Sequence, residues 1–220
     1  MSDAPTVRWM LSLALLVAGG CVETRFESPL GDHAAPCDAR WKGLWIPADE
    51  TPPRTGGANT AFDVDDGCGL TLLDRPAPGG ALTRVHVPLA YVHAGGNDYL
   101  VVTEHAAREL VALPPPHGVQ PAPETAYFFI RYDVRGDRIR LYQVDTARVA
   151  RLVIDGMLDG TVDKHANELH VFVQGDRTRM LERVRTLSVF EDRPSLQLVR
   201  STRTVAEFEH LPLQGHGGTR

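Results

Sequence analysis

Residues 127–144 read YFFIRYDVRGDRIRLYQV, and this stretch decides the fold class of the 220-residue chain. Apolar side chains recur at every second position from Phe128 to Val134, which is the period of a strand with one buried face. A second alternating run begins at Arg138, and Arg135-Gly136-Asp137 between the runs is typical of a tight turn. The stretch therefore predicts an antiparallel β-hairpin.

Downstream of the hairpin the apolar period changes to that of a helix. Asp145 is placed to cap a first helix that Gly156 ends, and Gly175-Asp176 opens a second. The apolar residues at helical spacing are Val149, Leu152, Val153 and Met157 in the first helix and Met180, Leu181, Val184 and Leu187 in the second. Both helices are therefore predicted to be amphipathic.

The outer face of the second helix carries four arginines, Arg177, Arg179, Arg183 and Arg185. Such a run fits the solvated side of an amphipathic helix. The alternative is a contact with anionic lipid headgroups or with an acidic partner.

Shorter strand patterns flank these elements. Alternation from Val85 to Tyr91 predicts a single strand, and Tyr99–Thr103 and Leu110–Leu113 predict two more. Leu169–Val173 and Ser195–Ser201 are predicted late strands. Because the strands come first and two helices alternate with the late strands, we predict an α+β domain. Its sheet is antiparallel or a partly closed β-barrel, with two amphipathic helices in the C-terminal half.

The first twenty residues have the layout of an export signal. Met1–Arg8 is polar with one arginine, and the apolar run Trp9–Ala18 is shorter than the roughly 20 residues that a membrane-spanning helix needs. Residues 1–20 are therefore predicted to be a signal peptide that is removed.

The end of this signal, Val17-Ala18-Gly19-Gly20-Cys21, resembles the lipobox of bacterial lipoproteins. The resemblance implies that Cys21 becomes the first mature residue and carries the lipid. It also implies transport to the outer membrane, facing the periplasm, because Val22 and not Asp follows Cys21. The alternative is ordinary secretory cleavage, since Ala18 and Gly20 also satisfy the small-x-small rule, with Cys21 left as a free thiol.

Cys37 and Cys68 are the two other cysteines of the chain. An even number of cysteines in an oxidising compartment predicts a disulfide, and the alternative is two buried free thiols. Neither cysteine has a second cysteine at the close spacing of zinc sites, so we expect no metal site.

The mature chain is predicted to have three parts. Residues 21–37 form a lipidated N-terminus and flexible tether, residues 38–210 a single periplasmic α+β domain, and residues 211–220 a frayed tail. Near the start of the domain, Trp41 and Trp45 are either core aromatics or ligand-contacting aromatics, of which the core assignment is favoured.

Gly43-Leu44-Trp45, together with the patterns from Tyr127 to Phe190, resembles a group of uncharacterised bacterial lipoproteins that have a Gly-x-Trp motif after the tether. No activity is established for that group, so the resemblance implies no activity for this chain. The Gly-x-Trp motif is also similar to lipocalins, which implies a barrel that binds a small apolar ligand.

No pattern in the sequence points to catalysis or to a cofactor. The serines lie outside a Gly-x-Ser-x-Gly setting, and the His-Glu-x-x-His and phosphate-loop motifs are missing. His86, His93 and His105 are interpreted as ordinary histidines, because the first two would face opposite sides of one strand. The acidic run Asp63–Gly67 departs from the calcium-loop pattern and is interpreted as a turn.

Composition excludes several classes of protein. With 43% hydrophobic and 23% charged residues and a net charge of −5, a disordered chain and a nucleic-acid-binding protein are both disfavoured. From the lipobox resemblance and the lack of a catalytic pattern, we predict a non-enzymatic lipoprotein, attached to the membrane by its N-terminal lipid, that binds a protein, glycan or lipid of the envelope. The alternative is a lipocalin-like carrier of a small apolar ligand.

Overall fold

The computed structural model describes residues 22–32, 34–48, 60–75, 81–110, 126–166 and 168–210. The strands in these ranges are β1 Val22–Phe26, β2 Gly43–Pro47, β3 Thr60–Val64, β4 Leu70–Asp74, β5 Thr83–Val87, β6 Ala90–Ala94, β7 Asn97–Thr103, β8 Tyr127–Arg135, β9 Arg138–Tyr142, β10 Gly160–His165, β11 Glu168–Val173 and β12 Leu196–Arg200. The helices are α1 Glu104–Leu110, α2 Thr146–Ile154, α3 Arg177–Thr186 and α4 Val205–Glu209. Among the described helices, none has the length and hydropathy needed to cross a bilayer.

The predicted hairpin is confirmed as β8 and β9. The two strands pair in antiparallel register, with Val134 opposite Ile139 and Arg135 opposite Arg138. Gly136 in the turn has a φ of 60°. Residues that carry a Cβ atom adopt this backbone conformation only at a cost in conformational energy. The turn glycine thus allows the chain to reverse between two twisted strands.

The strands form one mostly antiparallel sheet in the order β10-β11-β1-β8-β9-β12-β2-β3-β4-β5, and β6 joins through β7 to β8. The pairing of β1 with β11 is parallel. Together with the helices, this sheet confirms the α+β class. The sheet is not closed, because in the described ladders β5 pairs with β4 alone and β6 with β7 alone.

Two apolar cores lie on opposite faces of the sheet. The inner core combines residues of two terminal strands, Val87 of β5 and Tyr91 of β6, so the sheet curls around it. Other members of the inner core are Trp41, Trp45, Phe62, Leu70, Leu100, Ile130, Ile139 and Leu198. The outer core joins β1, β8 and β11 to α2 and α3 and includes Phe26, Phe129, Val149, Val171, Met180 and Val184.

Both predicted C-terminal helices are confirmed, with the expected caps. Asp145 accepts a hydrogen bond from the Arg148 backbone at 2.9 Å, and Asp176 accepts one from the Arg179 backbone at 2.9 Å. A carboxylate at this position satisfies a backbone N–H that has no partner within the helix. The first helix ends at Ile154, so Met157 lies in the following turn.

Three predictions for the N-terminal half are wrong. Residues 22–26 of the predicted tether form β1, with side chains from Glu23 to Phe26 buried. The single strand across 85–91 is two strands, because Pro88 has no backbone N–H to donate to a sheet ladder. Leu110 ends the helix α1 and does not begin a strand. Residues 111–113 and the predicted tail 211–220 lie outside the described residues.

Candidate functional site

The strand next to the predicted lipid attachment site lies inside the sheet. β1 pairs with β11 from Val22 opposite Leu169 to Phe26 opposite Val173, and its last residue also pairs with Tyr127 of β8. Val22 is 43% exposed, whereas Arg25 is 2% exposed. Cys21 itself lies outside the described residues, but a single peptide bond joins it to Val22.

β1 carries charges that belong to a group we name the β1 ion network: the buried Glu23, Arg25, His170 and Glu104, and Arg108, which is 44% exposed. Nδ1 of His170 lies 3.1 Å from Oε1 of Glu23, and Nη2 of Arg25 lies 3.1 Å from the same carboxylate oxygen. Glu104 of α1 is 4.0 Å from the Arg25 guanidinium and pairs with Arg108 one turn along the helix. The network therefore ties the first strand to β11 and to α1.

The alternation of the strand explains this arrangement. Glu23 and Arg25 point to one face of β1, where Glu23 stands directly opposite His170 in the register. Thr24 points to the other face, where its hydroxyl donates to the Thr146 hydroxyl at 3.0 Å, at the start of α2. Each side chain from Glu23 to Arg25 thus has a polar partner on another element: Glu23 on β11, Thr24 on α2 and Arg25 on α1.

Burial governs the chemistry of the β1 ion network. Burial lowers the pKa of Arg25, and the negative charges of Glu23 and Glu104 oppose that effect. Glu23 and His170 are each 4% exposed, so a substrate has no access to them in this conformation. The network therefore has the properties of a structural ion cluster.

Trp41 and Trp45 both belong to the inner core. Nε1 of Trp45 donates to the Trp41 carbonyl at 2.5 Å, and the Arg200 guanidinium lies 4.1 Å from the Trp45 ring centroid. Arg200 also donates to the Arg40 carbonyl at 3.1 Å. These contacts hold β12 against the short 3₁₀ turn at Ala39–Trp41, whose Trp41 is buried in the inner core.

The interior of the curled sheet is filled by its own side chains. The cavity lined by Trp41, Leu100, Ile130 and other apolar residues has a volume of about 20 Å³. Ligand sites for small molecules have volumes of about 300–1,000 Å³. Ala106 and Ala107 of α1 pack against Phe128 in a smaller apolar cluster, and Leu89 contacts both this cluster and the inner core. A carrier of an apolar ligand needs more space than this conformation provides.

Another buried carboxylate, Asp38, joins the 3₁₀ turn to the sheet. It accepts hydrogen bonds from Arg40, with Nε 3.0 Å from Oδ1, and from the Tyr132 hydroxyl at 2.6 Å. Burial alone would raise the pKa of Asp38, but the bonds from Arg40 and Tyr132 outweigh it and lower the pKa. Arg40 also donates to Asp98 at 2.7 Å, which extends the link to β7.

Cys37 and Cys68 lie at disulfide distance, with their Cα atoms 5.0 Å apart. The pair fastens the segment before Asp38 to the β3–β4 turn. The acidic residues before Cys68 form a turn, in which Asp65 accepts a hydrogen bond from the Gly69 backbone at 2.9 Å.

The three histidines considered as ligands are dispersed. His86 lies on β5, His93 on β6 and His105 on α1. His93 pairs with Asp98, with 2.7 Å between Nδ1 and Oδ1. In the described part of the chain, His, Cys, Asp and Glu side chains form no group of three or more that could hold a metal ion.

The arginine face of α3 is solvated. Arg177 is 58% exposed and lies 3.7 Å from Asp32, and Arg179 is 57% exposed and lies 3.3 Å from Asp159. Solvent-exposed pairs of this kind contribute little to stability.

Sequence reasoning missed the β1 ion network, because Val22–Phe26 contains three polar residues and looks like a tether. A signal was present in the alternation of Val22, Thr24 and Phe26, but it spans only five residues. In comparisons with known proteins, no family model, curated protein or solved structure matches this chain.

Proposed function

We propose that this chain is a lipid-anchored protein of the bacterial envelope that acts as a non-catalytic binding or structural module at the membrane surface. The lipid is attached at Cys21, and the protein resides in the outer membrane with its domain in the periplasm. Its partner is a protein, glycan or lipid of the envelope.

The observation that carries this proposal is the continuity between the lipobox-like segment and the fold. Cys21 follows Gly19 and Gly20 at the end of an export signal, and the next residue begins a strand inside the sheet. Cys37 and Cys68 at disulfide distance agree with an oxidising compartment. Two or three acyl chains on Cys21 would hold the protein on a membrane essentially permanently.

Two features favour a non-catalytic role over the alternatives. Four of the five members of the β1 ion network, Glu23, Arg25, Glu104 and His170, are buried, and the inner cavity of about 20 Å³ leaves no room for an apolar ligand. The alternative, a carrier of a small apolar ligand, predicts that mass spectrometry of the delipidated domain detects a defined small molecule that co-purifies with it.

The proposal is tested by a Cys21→Ser variant of the full chain. We expect the wild-type N-terminal peptide to begin at Cys21 with the added mass of the acyl chains, and the variant to lack that mass. A Cys37→Ser/Cys68→Ser double variant is the matched control, because it loses two cysteines and keeps the lipid. An unmodified Cys21 in the wild-type protein, or the same acyl mass in the Cys21→Ser variant, would overturn the proposal.

A further inference from the structure

We infer that the domain stands end-on on the bilayer, with the β10–β11 turn in contact with the phospholipid headgroups. The described residues of this turn are Lys164, His165, Ala166 and Glu168. The inference rests on the lipid anchor proposed at Cys21 and adds the surface through which the folded domain meets the membrane.

The first step is the length of chain between lipid and sheet. Consecutive Cα atoms are about 3.8 Å apart, so Val22 lies within one residue of the acylated cysteine. Val22 is already paired with Leu169 in the β1–β11 ladder. The folded domain therefore has no tether with which to move away from the bilayer.

The second step is the direction from which the bilayer can reach β1. Beyond Val22 the strand is buried, with Glu23 4%, Thr24 5% and Arg25 2% exposed. Helix α2 covers one face of β1 through Thr146, α1 approaches the other face through Glu104, and β11 pairs along its edge. The exposed part of β1 is its N-terminal end, so the acyl chains leave the domain at that end.

The third step is the register of the neighbouring strands. Val22 pairs with Leu169, which pairs with Lys164 of β10, and His165 opposite Glu168 lies one residue farther out. The His165 side chain is 70% exposed and that of Glu168 is 48% exposed. Lys164 is one of only two lysines in the chain, and its ammonium group is suited to a phosphate of a lipid headgroup.

The other end of the same strands must then face away from the membrane. Gly160 pairs with Val173 at the Phe26 end of β1, and five residues of strand place it about 16 Å from His165. The turn between α2 and β10 lies at this far end, and Ile154, which is 72% exposed, ends the helix before it. Helix α3 also starts at this end, because it begins four residues after Val173, the residue of β11 that pairs with Phe26. Arg177 and Arg179 therefore face the aqueous compartment.

The test compares one position at each end of the strands. His165→Cys and Ile154→Cys replace side chains of similar exposure, 70% and 72%. Each full-length lipidated variant is labelled with an environment-sensitive fluorophore and reconstituted in vesicles of phosphatidylethanolamine and phosphatidylglycerol. Protein without an introduced cysteine is the labelling control. A phospholipid with a nitroxide on its headgroup serves as the quencher.

We expect the label at position 165 to be quenched several-fold more strongly than the label at position 154, with emission shifted to the blue. Equal quenching at the two positions, or stronger quenching at position 154, would overturn the end-on orientation. The intact mass of each vesicle-bound variant separates the two proposals. Acylated protein with equal quenching contradicts only the orientation, whereas protein without acyl mass at Cys21 contradicts both.

Discussion

At the residue scale, Glu23 links the first strand to β11. Its carboxylate contacts both His170 and Arg25, and all three side chains are at most 4% exposed. Charges taken out of water are tolerated when each has a partner of opposite charge, and removal of one partner leaves the others with an uncompensated cost.

We therefore expect Glu23→Ala to lower the free energy of unfolding by about 3 kcal/mol, the size typical of a broken buried ion pair. Glu168→Ala is the matched control, because Glu168 lies 3.6 Å from the other nitrogen of His170 but is 48% exposed. The control is expected to change stability by less than about 0.5 kcal/mol. Urea unfolding measures both variants, and equal losses would contradict a stabilising role for the network.

Asp38 gives a pH dependence of known sign. Its pKa is lower in the folded protein than in the unfolded chain, so its ionised form stabilises the fold at pH values above the unfolded pKa. That stabilisation is lost as the pH falls through the lowered, folded-state pKa.

An Asp38→Asn variant should therefore be less stable than the wild type at pH 7, and the difference should shrink as the pH falls below about 4. Urea unfolding of both proteins from pH 7 to pH 3 measures the difference. A difference that stays constant with pH would show that the ionised carboxylate of Asp38 is not the stabilising species.

At the element scale, a pair of cysteines at disulfide distance and a hydrogen bond from Arg200 connect the 3₁₀ turn Ala39–Trp41 to the strands around it. Cys37 precedes the turn and lies at disulfide distance from Cys68, and Arg200 fastens the turn to β12. A crosslink stabilises a fold mainly because it reduces the entropy of the unfolded chain, and the effect grows with the length of the enclosed loop.

For the sequence separation of 31 between the cysteines, the loop-entropy relation gives about 3.7 kcal/mol of stabilisation. We expect denatured, unreduced protein to show no reactive thiol at Cys37 or Cys68, and reduction to lower the urea midpoint. Thiol labelling followed by peptide mass spectrometry checks the first point. Labelling of either cysteine without reductant would contradict the disulfide.

The elements that the sequence predicts correctly are those with long, regular apolar patterns. The β8–β9 hairpin and the helices α2 and α3 have clear periods and local caps, so their formation depends on nearby residues. β1 was missed for the opposite reason. Its charges Glu23 and Arg25 are compatible with a buried strand only because His170 and Glu104, far away in sequence, meet them.

The same distinction holds for the candidate site. The disulfide distance between Cys37 and Cys68 and the core position of Trp41 and Trp45 agree with expectations drawn from residue type and compartment. The β1 ion network depends on tertiary contacts between three separate elements. A single sequence contains no local pattern that brings residues 23, 104 and 170 together.

At the scale of the whole molecule, the outer-membrane location that we propose depends on the residue after the proposed lipid anchor. Val22 is 43% exposed and lies at the end of the β1–β11 ladder. A polar side chain at this position therefore stays in contact with solvent and leaves no cavity in the core. The lipoprotein resemblance implies that Asp at this position retains a protein in the inner membrane.

We therefore expect Val22→Asp to move the protein from the outer-membrane to the inner-membrane fraction of a sucrose gradient, while Val22→Ser stays with the outer membrane. Both variants should keep the acyl mass at Cys21. Identical distributions of Val22→Asp and wild type would contradict sorting by residue 22.

The parallel pairing of β1 with β11 also has a consequence for the order of events during export. Glu23 and its partner His170 are 147 residues apart. In the export route that we propose, the first strand to leave the translocation channel is therefore among the last to be completed. Lipidation of Cys21 would precede the arrival of β11, and β1 would wait unpaired at the membrane surface. Contacts between such distant residues make folding slow. The envelope would therefore need to protect this nascent strand until the C-terminal third of the chain arrives.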